Sequence, residues 1–143
     1  MAEQVDHPQH YGGEDNPFEV IEVLEALGLG WGFCVGNALK YLARAPFKGT
    51  ERTDLEKARW YINRVCVKGW RPSGRTTVAA DYNDQVREAW GITGGPLDDV
   101  VYLLIYGDET GIKQSLLMLE AHLEVTRVRE GEAGDDEVDG EAG

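Results

Sequence analysis

Two sets of apolar residues recur at helical spacing on either side of a proline, and this pairing constrains the chain more than any other feature. Val35, Ala38, Leu39 and Leu42 mark the core face of a helix from Phe33 to Ala45, closed by Pro46. After a loop from Phe47 to Arg52, Leu55, Ala58, Ile62 and Val65 mark the core face of the next, which Thr53 and Glu56 open as a capping box and which runs to Val67. A short connection makes such helices antiparallel neighbours. Their remaining faces carry matching rows: Asn37, Lys40, Tyr41 and Arg44 on the first helix, Lys57, Tyr61 and Arg64 on the second, with Lys48 in the loop between. The spacing predicts that these rows converge on one pocket.

The flanking sequence is helical as well. Asn16-Pro17-Phe18-Glu19 is a helix start, and Val20, Ile21, Val23, Leu24 and Leu27 give a helix from Pro17 to Leu27 a broad apolar face, with Glu19, Glu22 and Glu25 partly solvated. Gly28-Leu29-Gly30-Trp31-Gly32 reads as a flexible connector. Asp81 to Trp90 is weakly helical and Gly91 to Pro96 breaks it. Leu97 to Tyr106 is an apolar run whose periodicity fits a buried helix or a strand, and helix is the preferred reading. Asp108 to Arg129 is a clearer helix with Ile112, Leu116, Leu119 and Leu123 on one face. The last 14 residues contain only Glu, Asp, Gly, Ala and one Val, a composition that cannot offset its ordering entropy. The expected fold is therefore mainly α: a three-helix N-terminal unit over residues 1–75, a helical extension over 76–129 packing on it, and a disordered acidic tail over 130–143.

With 26 acidic and 14 basic side chains the net charge is −12, which argues against a sequence-specific nucleic-acid binder. The distribution says more than the total. Residues 1–30 carry seven acidic groups and no basic one, whereas residues 31–75 carry ten basic and three acidic. A basic centre in an acidic envelope suits a small polyanion such as a nucleotide, although solvated helix faces would give the same count. No apolar run reaches the roughly 18 residues of a membrane span, and Met1 to Asp6 has no leader pattern, so a cytoplasmic protein is expected. Cys34 and Cys66 sit among apolar neighbours and are expected to be reduced thiols. Trp70 and Trp90, read as exposed aromatics, suggest a homo-oligomer.

Standard chemical signatures are missing. There is no G-x-x-x-x-G-K-[S/T] loop, no paired-cysteine zinc site and no H-E-x-x-H. His7 and His10 flank Pro8 and Gln9; they fit a hydrogen-bonded strap, a general base or a phosphate donor, and two histidines alone make a poor zinc site. Glu19-x-x-Glu22 and Glu51-x-x-Asp54 superficially match the Mg²⁺ motifs of helical nucleoside triphosphate pyrophosphohydrolases. With Thr53 as the cap, however, Glu51 and Asp54 would not share a helical face.

Taken in order, His7-Pro8-x-His10-Tyr11, Phe18-Glu19-Val20-Ile21-Glu22, Phe33-Cys34-x-Gly36-Asn37-Ala38-x-Lys40-Tyr41-x-x-Arg44-Ala45, Lys48-Gly49 and Asp54-Leu55-x-Lys57-Ala58-x-x-Tyr61 resemble a family of small phage-encoded proteins. That family, catalogued as a domain of unknown function, has a coliphage nucleotide kinase as its characterised member. The resemblance covers roughly residues 7–68 and implies phosphoryl transfer from a nucleoside triphosphate to a deoxynucleoside monophosphate of the dTMP or dGMP type, without a P-loop. On that reading Lys40 and Arg44, with His7 and His10, act at the reacting phosphates. Tyr11, Asn37, Tyr41, Lys48, Lys57, Tyr61 and Arg64 bind the nucleotides, and Tyr61 serves equally as core packing. Mg²⁺ is the cofactor such chemistry would use, with Glu22 or Asp54 as candidate ligands, though the sequence requires neither. One departure is Ala45-Pro46-Phe47 before Lys48, where the family often has a second basic residue. The loss favours, as the alternative, a phage protein that binds and sequesters a nucleotide without turnover; the acidic ends allow a third reading, an interaction protein that mimics nucleic acid.

Overall fold

The computed structural model describes residues 19–47, 51–72 and 78–142, and every regular element among them is helical. In chain order these are α1 (Val20–Ala26), α2 (Gly30–Arg44) followed by one 3₁₀ turn (Ala45–Phe47), α3 (Glu51–Lys68), α4 (Ala80–Ala89), α5 (Asp98–Tyr106) and α6 (Glu109–Ala142). The helix α3 is central, packing against α2 on one side and α6 on another, while α5 lies against α6 and touches α2. No helix among the described residues is long and apolar enough to cross a membrane.

The two expected seams form the core. Val35, Ala38 and Leu42 of α2 and Leu55, Ala58, Ile62 and Val65 of α3 are buried, with Leu39 partly so. At about 1.5–3 kcal/mol for each large apolar side chain removed from water, this seam is the main source of stability. The ambiguous run after Leu97 is a helix because its buried positions, Leu97, Val100, Val101 and Leu104, fall three and four apart. In α6, Ile112, Leu119 and Leu123 are buried and Leu116 partly so, as the spacing predicts.

Several boundaries differ from the sequence reading. The connector at Gly28–Gly32 is largely helix: α2 starts at Gly30 because Trp31 is 5% exposed, and burying an indole outweighs the roughly 1 kcal/mol that each helical glycine costs. Gly28, at φ +78°, makes the turn by closing α1, with the Gly28 amide donating to Glu25 O and the Leu29 amide to Leu24 O. Thr53 is not a cap, since α3 begins two residues earlier at Glu51. Arg52 is drawn into the helix by tertiary contacts, its guanidinium donating to Thr126 Oγ1 at 3.2 Å and to Leu123 O at 3.4 Å on α6.

The first helix is shorter than expected, and only Ile21 and Leu24 of its apolar residues are half-buried, Ile21 against the core. None of its residues is buried; Val20, Val23 and Leu27 are exposed, while Glu19 just before it is buried and Glu25 turns inward. Seven residues make only two turns, too few to present a continuous apolar stripe, and an ion pair described below orients Glu25. At the other end, the backbone of α6 continues through the acidic tail to Ala142. Residues 130–143 offer Val138 as their one branched apolar side chain, so the packing that holds Ile112 to Leu123 has no counterpart there.

Candidate functional site

The polar rows of α2 and α3 do meet. The Tyr41 ring stacks on Tyr61, with centroids 6.1 Å apart and planes 14° apart. Tyr61 is 8% exposed and is itself fixed by edge contacts with Phe33 at 5.9 Å and Trp60 at 5.1 Å. Tyr61 therefore packs the helix interface, while Tyr41 is the half-buried end of an aromatic stack that begins in the core. Three cations surround Tyr41: Lys40 Nζ lies 4.4 Å, Lys57 Nζ 5.4 Å and Arg44 Cζ 5.8 Å from its ring centroid. Lys57 comes from the opposite helix, so the antiparallel packing itself assembles the cluster. Each contact is of the cation–π kind, worth about 0.5–1 kcal/mol at an exposed site, which offsets part of the repulsion between three like charges.

A buried carboxylate lies beside this cluster. Asp54 is 2% exposed and its Oδ2 is 3.7 Å from Arg44 Nε, which steers the guanidinium of Arg44 along α3. Lys40 and Lys57 have no ion pair among the described residues. Asn37 is turned back on its own helix, its Nδ2 donating to Phe33 O at 2.8 Å. One of its two amide N–H donors is thereby used, leaving the second N–H and the side-chain oxygen to offer a ligand.

Arg64 does not join the cluster. Its Nη2 and Nε donate to the two carboxylate oxygens of Glu25 at 2.8 and 3.1 Å, and Lys68 Nζ approaches the same carboxylate at 3.9 Å. This two-pronged pair ties α1 to α3, so Arg64, expected among the nucleotide-binding residues, stands apart from the cluster with two of its donors on a carboxylate. Donating to the Glu25 carboxylate raises the Arg64 pKa above its ordinary value. Beneath this pair the Cys34 thiol is pushed up to about 12, first by burial and then by the Glu25 charge, and both cysteines are free. Sequence spacing could not reveal the pair, because Glu25 and Arg64 are separated by 39 residues and belong to no shared periodicity.

His7, His10, Tyr11 and Lys48 lie outside the described residues. For Mg²⁺, the start of α3 at Glu51 does put Glu51 and Asp54 one turn apart on one helix, contrary to the cap argument. The donor set is nonetheless poor for a protein-held divalent ion. Asp54 faces a guanidinium, Glu22 is an exposed residue of α1, and no three His, Cys, Asp or Glu side chains come together among the described residues.

A family model described as "protein of unknown function (DUF3310)" matches residues 5–63, less than half of the chain. The match takes in α1, α2 and the part of α3 that carries Asp54, Lys57 and Tyr61, and it ends one residue before Arg64. No curated protein and no solved structure matches the chain.

Proposed function

We propose that the face shared by α2 and α3 binds nucleotide phosphates, and that the protein transfers a phosphoryl group from a nucleoside triphosphate to a deoxynucleoside monophosphate of the dTMP or dGMP type in a bacterial cytoplasm. The observation that carries this reading is the gathering of Lys40, Lys57 and Arg44 around one tyrosine by two different helices. In such a transfer an oxygen of the monophosphate attacks the γ-phosphorus, the bond from that phosphorus to the bridging oxygen breaks, and two diphosphates leave. The chemistry is largely positioning and charge neutralisation, which fixed cations provide. Lys40 and Lys57 supply point charges held against the Tyr41 ring, Arg44 a guanidinium aimed by Asp54, and Tyr41 a rigid floor. On this reading His7 and His10 act at the reacting phosphates, and Tyr11 and Lys48 help to bind the same nucleotides. No step is assigned to a protein-bound metal.

Binding without turnover is the second reading. It is favoured by the carboxylate that faces Arg44 and by the capture of Arg64, which together leave two lysines as the freest cations on this face. One experiment separates the two. Purified protein is incubated with each deoxynucleoside monophosphate and a mixed triphosphate pool, and diphosphates are followed by chromatography alongside direct binding. The kinase reading expects diphosphate product; binding with no product under any donor rejects it in favour of sequestration. In either case Lys40→Ala and Lys57→Ala should each weaken nucleotide binding roughly ten- to hundredfold, since charge-assisted phosphate bonds are worth about 1.5–3 kcal/mol. Unchanged affinity in both variants would exclude this face.

A further inference from the structure

The helix α6 has a second apolar row that the domain does not use. Leu117, Val125 and Val128 are exposed at 67%, 48% and 46%, and Ala121 between them is also exposed. At 100° per residue these four positions lie opposite Ile112, Leu119 and Leu123, so they point away from the domain core. The tryptophans that suggested assembly from sequence are not part of this row; Trp70 and Trp90 are partly buried against the core.

Two properties of the row select its occupant. The first is symmetry. A two-fold axis crossing α6 near residue 123 brings Leu117 opposite the partner's Val128, and Ala121 opposite the partner's Val125. The row is therefore self-complementary in the antiparallel sense that an isologous interface requires. The second is charge. Beyond Val128 the backbone of α6 runs on as helix to Ala142, and residues 130–143 carry seven acidic groups and no basic one. A parallel pair would set these two acidic ends side by side. An antiparallel pair instead carries each acidic end along the first turns of the other α6, where Lys113 is 61% exposed. Lys113 and Arg71 there share the single carboxylate of Glu109, at 3.9 and 3.7 Å, and the other acid of that turn, Asp108, accepts from the Gly111 amide. The same two-fold places Lys113 level with the partner's Glu132.

From this we infer that the outer face of α6 pairs with a second copy of the chain, antiparallel, through Leu117, Ala121, Val125 and Val128, with Lys113 meeting the acidic end of the partner's helix. The interface lies on the side of α6 away from α3, so it is independent of the nucleotide reading.

Sedimentation equilibrium of the full chain tests it. Wild-type protein should give about twice 15.9 kDa, and Leu117→Asp should return the mass of one chain with unchanged far-ultraviolet circular dichroism, since this side chain is exposed and its loss removes no core contact. Lys113→Glu should weaken the dimer, and adding Glu132→Lys in the same chain should restore it, because the antiparallel register sets each residue against the other. A wild-type protein of single-chain mass at every concentration overturns the inference, as does a Leu117→Asp dimer. So does a charge-reversed double variant that stays weakened. A dimer strengthened by deleting residues 130–143 would show the acidic ends together and likewise refute the antiparallel pairing.

Discussion

The α2–α3 hairpin and the helix α4 belong to one domain but are attached to it by opposite means. The hairpin is joined by a continuous apolar seam, and polar groups enter only at its margin. In α4 the one buried residue is Asn83, whose Nδ2 has no partner among the described residues, and Tyr82 is exposed. What fastens α4 is Arg87, 11% exposed, which donates from Nε to Asn83 Oδ1 at 3.0 Å, pairs with Asp98 and Asp84, and lies over the Tyr102 ring at 5.3 Å. Apolar packing is insensitive to pH and salt and fixes backbone positions closely, whereas an ion-pair latch depends on both. A cluster of like charges such as that around Tyr41 needs the first kind of support.

The sharpest way to break this comparison is to open the seam. Ile62→Ala should cost about 2–5 kcal/mol in denaturant unfolding, as large-to-small changes in packed cores do, whereas Val86→Ala on half-buried α4 should cost under about 1 kcal/mol. Equal losses would mean that the two regions are held alike.

A smaller, local effect is expected at the latch. Arg87→Ala should speed amide exchange across α4 and leave α2 and α3 protected; loss of protection throughout would make α4 part of the central core. Acid should reproduce the same opening. The Asp98 carboxyl is held below its ordinary 3.8, first by the Gly94 amide and then by Arg87. A carboxylate lowered on folding contributes stability that is fully present above 3.8 and is lost as pH falls through its lower folded value. Exchange of α4 should therefore be flat from neutral pH to about pH 4, after correction for intrinsic rates, and rise in stronger acid.

The smallest effect is chemical. Cys34 in the seam, with its thiol at about 12, should resist alkylation under native conditions, while half-buried Cys66, raised less by burial, should react first. Mass spectrometry of a labelling time course checks the order, and equal rates would show that the seam opens readily.

The features legible in the sequence were those set by local period. The seams of α2, α3 and α6 follow from the spacing of their apolar residues, and the meeting of Lys40, Tyr41 and Lys57 follows from two such helices joined by a short loop. Long-range choices were not legible. Arg64 has the same spacing from Lys57 and Tyr61 as a pocket residue would, and only the position of Glu25 on α1 draws it away. Arg52 likewise moved the start of α3 by reaching α6, a contact 71 and 74 residues distant that overrode a good capping box. Polar side chains with several possible partners are decided by tertiary geometry, whereas apolar rows have one way to be buried.

The close approach of α2 to Trp70 has a consequence for how relatives of this chain can vary. A Cβ at position 30 would fall 2.5 Å from the Trp70 ring, and the turn at Gly69 directs that ring back over the start of α2. Positions 30 and 70 thus form one inherited unit: a lineage that gains a side chain at 30 must shrink or redirect residue 70, and an alignment of relatives with the C-terminal part of α3 should show the two changing together.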